Sequence, residues 1–199
     1  MTDMTDAISE AVEKAGMSRI NTIVAISVAV TATFTALCNV KDGNIVQAMA
    51  QEQAEAVDAW AYYQSKSTKE NIAQSALDQL ELERDLASNP SPEARALIAK
   101  KLIEYAARIK HYEADKAAIQ KVAEEHRAQY DRLNVHDDQF DMAEALMSIG
   151  IALFGVTALT QKRALLVTAL VFAGLGAVMG LAGFLGLNLH PNFLAALLS

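Results

Sequence analysis

From Ile98 onward the apolar positions step four, three, four, three without a slip: Ile98, Leu102, Tyr105, Ile109, Tyr112, Lys116, Ile119, Ala123, His126, Tyr130, Leu133. Only Lys116 and His126 break the apolar character. A 3.5-residue repeat held over 91–133 predicts an α-helix with one continuous seam for a facing helix. Upstream, Asn44 and Gln47 have capping-box spacing, so a helix is expected from about 44 to Ser88. Its seam is weaker: Ile45, Met49, Ala56, Trp60, Tyr63, then Ala73, Leu77 and Leu80. Gln64 to Asn71 is polar on every face, to be held by the partner helix or left loose. The two predicted helices meet at Ser88-Asn89-Pro90-Ser91-Pro92, where Ser91 suits an N-cap and Pro92 the first helical position. Two arms of roughly 45 residues would each reach about 65 Å.

Three apolar runs flank this region. Ile20 to Val40 would span about 31 Å as a helix, enough for a hydrocarbon core, and Arg19 and Lys41 bracket it. Ala145 to Thr160 is a second run, with Phe140 to Glu144 as its water-facing entry, and Ala164 to Leu187 a third. Gln161-Lys162-Arg163 is the polar turn between them. Lys41-Asp42-Gly43-Asn44 and Asn134-Val135-His136-Asp137-Asp138 are expected to interrupt the helices at the feet of the two arms. The ends are less apolar. Residues 1–19 predict an amphipathic lead-in with an acidic stripe of Asp3, Asp6, Glu10 and Glu13, closed by Gly16, with Ser18 capping the next helix. Residues 188–199, with Pro191 at a helix start, predict a tail lying in the membrane interface.

Composition sharpens this division. The chain is 52% hydrophobic and 21% charged, and its charge is concentrated in 41–141. A net charge of −7 argues against a nucleic-acid role, which needs a basic face. Cys38 is the single cysteine, so neither an intrachain disulfide nor a cysteine zinc site can form. Leu37 before it is not the small residue a lipoprotein cleavage site requires. The first run also lacks a small-x-small cleavage site, and is expected to be retained as a span. Positive-inside logic sets Lys14, Arg19, Lys162 and Arg163 against Lys41, Arg127 and Arg132, and favours an outward-facing, periplasmic hairpin.

Candidate chemistry is sparse. None of His111, His126, His136 and His190 follows a Glu by three residues, and no zinc-protease, phosphate-loop or nucleophile-elbow motif is present. No catalytic, cofactor or metal residues are therefore expected, and an enzyme is the least favoured class. His126 reads as a polar layer in the seam. Ser27, Thr31 and Thr35 make a mildly polar stripe, read as helix–helix contact or as pore lining. Asp141 and Glu144, with His136, Asp137 and Asp138, read as acids favouring the start of the second span or as a cation-attracting vestibule. Ala152 and Gly155 on the second span, and Gly176, Gly180 and Gly183 on the third, are small residues suited to close packing in lipid. Trp60, Tyr62, Tyr63, Gln64 and Lys66 are the most distinctive short stretch, either a partner-binding anchor or aromatic packing with Lys66 over a ring.

Asn44-Ile-Val-Gln-Ala-Met49, Asp58-Ala-Trp-Ala-Tyr-Tyr-Gln-Ser-Lys-Ser-Thr-Lys69, Ala158-Leu-Thr-Gln-Lys-Arg163 and Gly180-Leu-Ala-Gly-Phe-Leu-Gly186 resemble a bacterial family of membrane proteins, domain-of-unknown-function family 4337. The resemblance covers nearly the whole chain. It implies a multi-pass membrane protein with a helical insertion after the first span, and it brings no activity and no catalytic residues.

The expected fold is all-α, with three transmembrane helices (20–40, 142–160, 164–187) and a long antiparallel, coiled-coil-like hairpin over 41–141, turning at 88–92. The expected role is a homo-oligomeric structural or scaffold protein of the bacterial inner membrane, in contact with lipid and with a further membrane-protein partner of unknown identity. A homo-oligomeric channel or transport-accessory subunit is the alternative.

Overall fold

The computed structural model describes residues 2–187 and 189, with side chains for 14, 16, 19–187 and 189. The acidic stripe of the lead-in and the interfacial tail with Pro191 and His190 lie outside the described side chains. The chain is all-helical among these residues: α1 (Thr2–Leu86), α2 (Pro92–Thr160) and α3 (Arg163–Phe184). Each of the three contains a stretch long and apolar enough to cross a membrane.

The interruptions expected at Gly16–Ser18, at Lys41–Asn44 and at Asn134–Asp138 are not present, because α1 and α2 run through them. None of the three contains a proline, and a lone glycine inside a helix costs only about 1 kcal/mol relative to alanine. Around Gly43, Cys38 and Ile45 are buried, and around 134–138 Gln139 and Phe140 are buried, so packing on both sides outweighs the local preference for a turn. The real break is 87–91. Ser91 Oγ accepts from the Ala94 amide at 3.2 Å, an N-cap with Pro92 at the first helical position.

Two compact units result: 1–48 with 132–199, and Met49–Asp131. The first unit packs α3 against the adjoining parts of α1 and α2 through glycines. A methyl group on Gly176 would lie 2.7 Å from Met147 Cγ and 2.9 Å from the Ala143 carbonyl. One on Gly180 would meet Cys38 Sγ at 2.8 Å, and one on Gly183 the Phe140 ring at 2.8 Å. Val24, Phe154, Leu166, Ala169 and Ala173 fill one end of this core. At the other end Phe184 meets Phe140 edge-on at 5.2 Å and Phe34 at 6.1 Å. The outward faces are apolar as well, with Ile26, Val30, Leu37, Val156, Val171 and Val178 exposed.

Two details close the first unit. Gln161, at φ 56°, ends α2, and its amide donates to Asn21 Oδ1 on α1 and to the Ala158 carbonyl, both at 2.6 Å. At the end of α3, Gly186 takes φ +65°, and the amides of Gly186 and Leu187 return to Gly183 and Ala182. This is a Schellman closure, in which the left-handed residue is easiest for glycine.

In the second unit every position of the predicted α2 seam from Ile98 to Tyr130 is at least partly buried. The facing α1 positions are Met49, Glu52, Ala56, Ala59, Tyr63, Lys66, Glu70, Ala73, Leu77 and Leu80, also a strict three–four alternation. Ala59 takes the seam position expected for Trp60, which is 41% exposed. Gln64–Asn71 is regular helix, because two of its polar residues occupy the seam and find ionic partners.

Candidate functional site

Ionic layers interrupt the apolar seam of the second unit. Glu52 Oε2 lies 2.7 Å from His126 Nδ1, Lys66 Nζ 2.7 Å from Asp115 Oδ2, and Lys116 Nζ 2.6 Å from Glu70 Oε2. All six side chains are half-buried. Hydrogen bonding to Asp115 holds Lys66 above the usual lysine range, and the same bond holds Asp115 below the usual carboxylate range. Lys116 is raised by the Glu70 carboxylate beside it. The buried apolar positions flanking these layers are small, Ala56, Ala73 and Ala123, with Met49 near one end. Such a seam sets register more than it adds stability, since ion pairs removed from water regain little net free energy.

The distinctive aromatic stretch lies beside these layers. Trp60 and Tyr63 meet edge-on at 5.5 Å, and Lys66 Nζ stands 5.1 Å from the Tyr62 ring and 5.8 Å from that of Tyr112. Tyr63 and Lys66 thus face the partner helix. Trp60, Tyr62 and Gln64 are exposed, Tyr62 at 52%. An open groove of about 430 Å³ runs next to Tyr62, bounded by Glu55, Asp58, Ala118, Ile119, Val122 and His126.

In the first unit the acidic residues come together inside the α1–α2 contact. Asp137 and Asp42 hydrogen-bond each other, with Asp141 close by. Burial first, then the charges of Asp42 and Asp141, push Asp137 up to about 6. Burial and the Asp141 charge also raise Asp42, whose Oδ1 has no hydrogen-bond partner among the described residues. Partial desolvation of the carboxyl, followed by the charges of Asp138 and Glu144, raises Asp141, although the residue as a whole stays exposed. The explanation of these acids as helix-start charges does not hold, because α2 begins at Pro92 and they lie deep within it. Asp141 and Glu144 are exposed, and Glu144 accepts from the Asn39 amide at 3.2 Å.

The hydroxyl stripe is placed against a neighbouring helix. Thr31 is buried, and Thr35 Oγ1 donates to the Thr31 carbonyl at 2.9 Å and approaches Met147 Sδ at 3.4 Å. Ser27 is half-buried. Of the small residues, Gly176, Gly180 and Gly183 make the close approaches described above. Ala152 and Gly155 face outward, and a methyl group on Gly155 would meet nothing within 4 Å. Within the chain, the close approach on α2 is made by Gly150, where a methyl group would lie 3.0 Å from the Ala173 amide.

Residues that sequence reasoning did not single out are Asp42, Glu52, Glu70, Gln139 and Gly150. Glu52, Lys66 and Glu70 continue the three–four step between Met49 and Ala73, a signal that a count of apolar residues alone discards. Gln139 is fully buried. Its amide donates to the carbonyls of Leu187 at 2.6 Å and Leu189 at 2.8 Å, and its Oε1 lies 3.1 Å from His136 Nδ1. Among the described residues no group of histidine, cysteine and carboxylate side chains is arranged to hold a metal ion.

No curated protein and no solved structure matches the chain. Residues 20–186 match the model of a family described as a domain of unknown function (DUF4337), a range that takes in parts of both units and of all three helices. The chain belongs to the DUF4337 family.

Proposed function

We propose that this chain is a multi-pass scaffold protein of the bacterial inner membrane, with the 49–131 region an antiparallel helical hairpin through which copies associate. The observation that carries this reading is what the second unit leaves uncovered. Its seam contains alanines and ion pairs, while Val57, Trp60, Tyr62, Ile72, Ile103 and Val122 are exposed. A two-helix unit with so thin a core gains from covering such side chains with a neighbour. The apolar outward faces of the first unit support its placement in lipid, and Arg19, Lys162 and Arg163 at one end support an outward hairpin.

Light scattering of the detergent-solubilised full chain tests the assembly. An oligomer that dissociates on Trp60→Glu with Tyr62→Glu is the expected result, and a strictly monomeric wild type overturns it. A cysteine introduced at Ser88 reports orientation, since labelling by an impermeant thiol reagent in spheroplasts places the turn outside. A second reading, a channel or transport-accessory subunit, draws on exposed Asp141 and Glu144 beside the Asp42–Asp137 pair. Cation flux into liposomes that is lost on Asp141→Asn with Glu144→Gln would favour it.

A further inference from the structure

At one end of the first unit a cleft of about 670 Å³ opens between α1 and α3, bounded by Gly16, Arg19, Ile20, Ile23, Arg163, Leu166 and Val167. Its chemistry is divided. Arg19 and Arg163 both line it. Isoleucine, leucine and valine supply the remaining walls. α3 begins at this cleft without a side-chain cap on Lys162, and the first backbone bond inside the helix runs from the Leu165 amide to the Lys162 carbonyl. The amides of Arg163 and Ala164 have no acceptor among the described residues, so the positive end of a 22-residue helix adds to the two arginines. The Gln161–Asn21 bond holds the α2–α3 turn onto α1 and so keeps Arg163 beside Arg19.

We propose that this cleft is a headgroup site for an anionic phospholipid. The guanidinium forks and free amides take the phosphate, and Ile23, Leu166 and Val167 lie along the start of an acyl chain. The inference rests on the membrane reading above. A phosphodiester is the group that matches planar cation donors together with a helix N-terminus. The apolar walls favour the lipid over free phosphate, which would leave them wet. Basic clefts between helices at the cytoplasmic surface are where anionic headgroups are held, and this end is the cytoplasmic one in the proposed orientation.

The test uses the full chain in a neutral detergent, with phosphatidylglycerol, phosphatidylcholine and inorganic phosphate as separate probes. Native mass spectrometry reads retained lipid, and the thermal midpoint is followed in parallel. Phosphatidylglycerol is expected to be retained and to raise the midpoint, with phosphatidylcholine doing neither. The double variant Arg19→Gln, Arg163→Gln is expected to retain at least about tenfold less, the loss that even one of the two charge-assisted phosphate contacts accounts for. Arg19→Lys with Arg163→Lys keeps the charge without the fork and should recover part of the retention. Arg95→Gln with Arg108→Gln, an equal charge loss in the second unit, should leave phosphatidylglycerol retention unchanged. Equal retention of both lipids, or an unaltered Gln variant, overturns the site, and the wild-type comparison stands even if that variant misfolds. An equal midpoint shift with inorganic phosphate alone shows a free-anion site instead. Alkaline carbonate extraction separates the two levels: a chain washed off membranes sinks the membrane reading and the site together. A chain that stays in membranes but ignores phosphatidylglycerol sinks the site alone.

Discussion

Asp137 is the residue whose environment has the clearest consequence. Its folded pKa of about 6 stands above the ordinary carboxyl value of 3.8, so the folded state binds more protons between those values. Stability from this group is therefore complete below about pH 3.8, falls as pH rises through the window, and is gone above about 6. Asp137→Asn keeps a donor facing Asp42 at every pH. It should raise the thermal midpoint over wild type at pH 7.5 by ~2–4 °C, the shift that about 1 kcal/mol produces in a chain of this size. The difference should vanish near pH 4, and a constant difference across a pH series of melts would remove the Asp42–Asp137 contact as its cause. Asp115 runs the opposite way. Its bond to Lys66 lowers its pKa, so its contribution is present above the ordinary carboxyl value and is lost as pH falls through the folded one. Lys66→Met should lower the midpoint at neutral pH, and the exchange Lys66→Asp with Asp115→Lys should restore part of it.

At the scale of helices, the glycine contacts separate packing inside the chain from surface left for others. Gly176→Ala drives a methyl group against the Ala143 carbonyl and Met147, and overpacking of this kind costs roughly 1–3 kcal/mol. Gly155→Ala meets nothing and should leave the melt unchanged. Differential scanning of the two variants in the same detergent checks the contrast, and equal melts would mean that α2 does not pack on Gly176. The three apolar runs, the 87–91 turn with its Ser91 cap, and the α2 seam were all readable in the sequence, because each rests on local periodicity or on proline and serine chemistry. The α1 seam was only half readable. Glu52, Lys66 and Glu70 look like solvated residues until their partners at His126, Asp115 and Lys116 are known, and those lie 46 to 74 positions away. The same non-local packing accounts for the missed continuity at Gly43 and at Asn134–Asp138, where short-range turn signals yield to buried neighbours. Gly150 and Gly155 are indistinguishable by residue type, and only helix phase against α3 tells them apart.

Over the whole molecule, opening should be uneven. The 87–91 turn and the adjoining helix ends bury little, whereas the glycine-packed core of the first unit is dense. Hydrogen exchange on the chain in nanodiscs should release amides around 83–95 first and those of 143–154 and 169–183 last. Early exchange of the glycine-packed segments would contradict the packing described. One contact also bears on where the chain can be cut. Gln139 is sealed from solvent, and both of its donated bonds end on carbonyls beyond the last turn of α3, at Leu187 and Leu189. A stop codon at position 187 would strand that amide inside protein, a defect of roughly 1–3 kcal/mol, whereas one at position 190 leaves the clasp fastened.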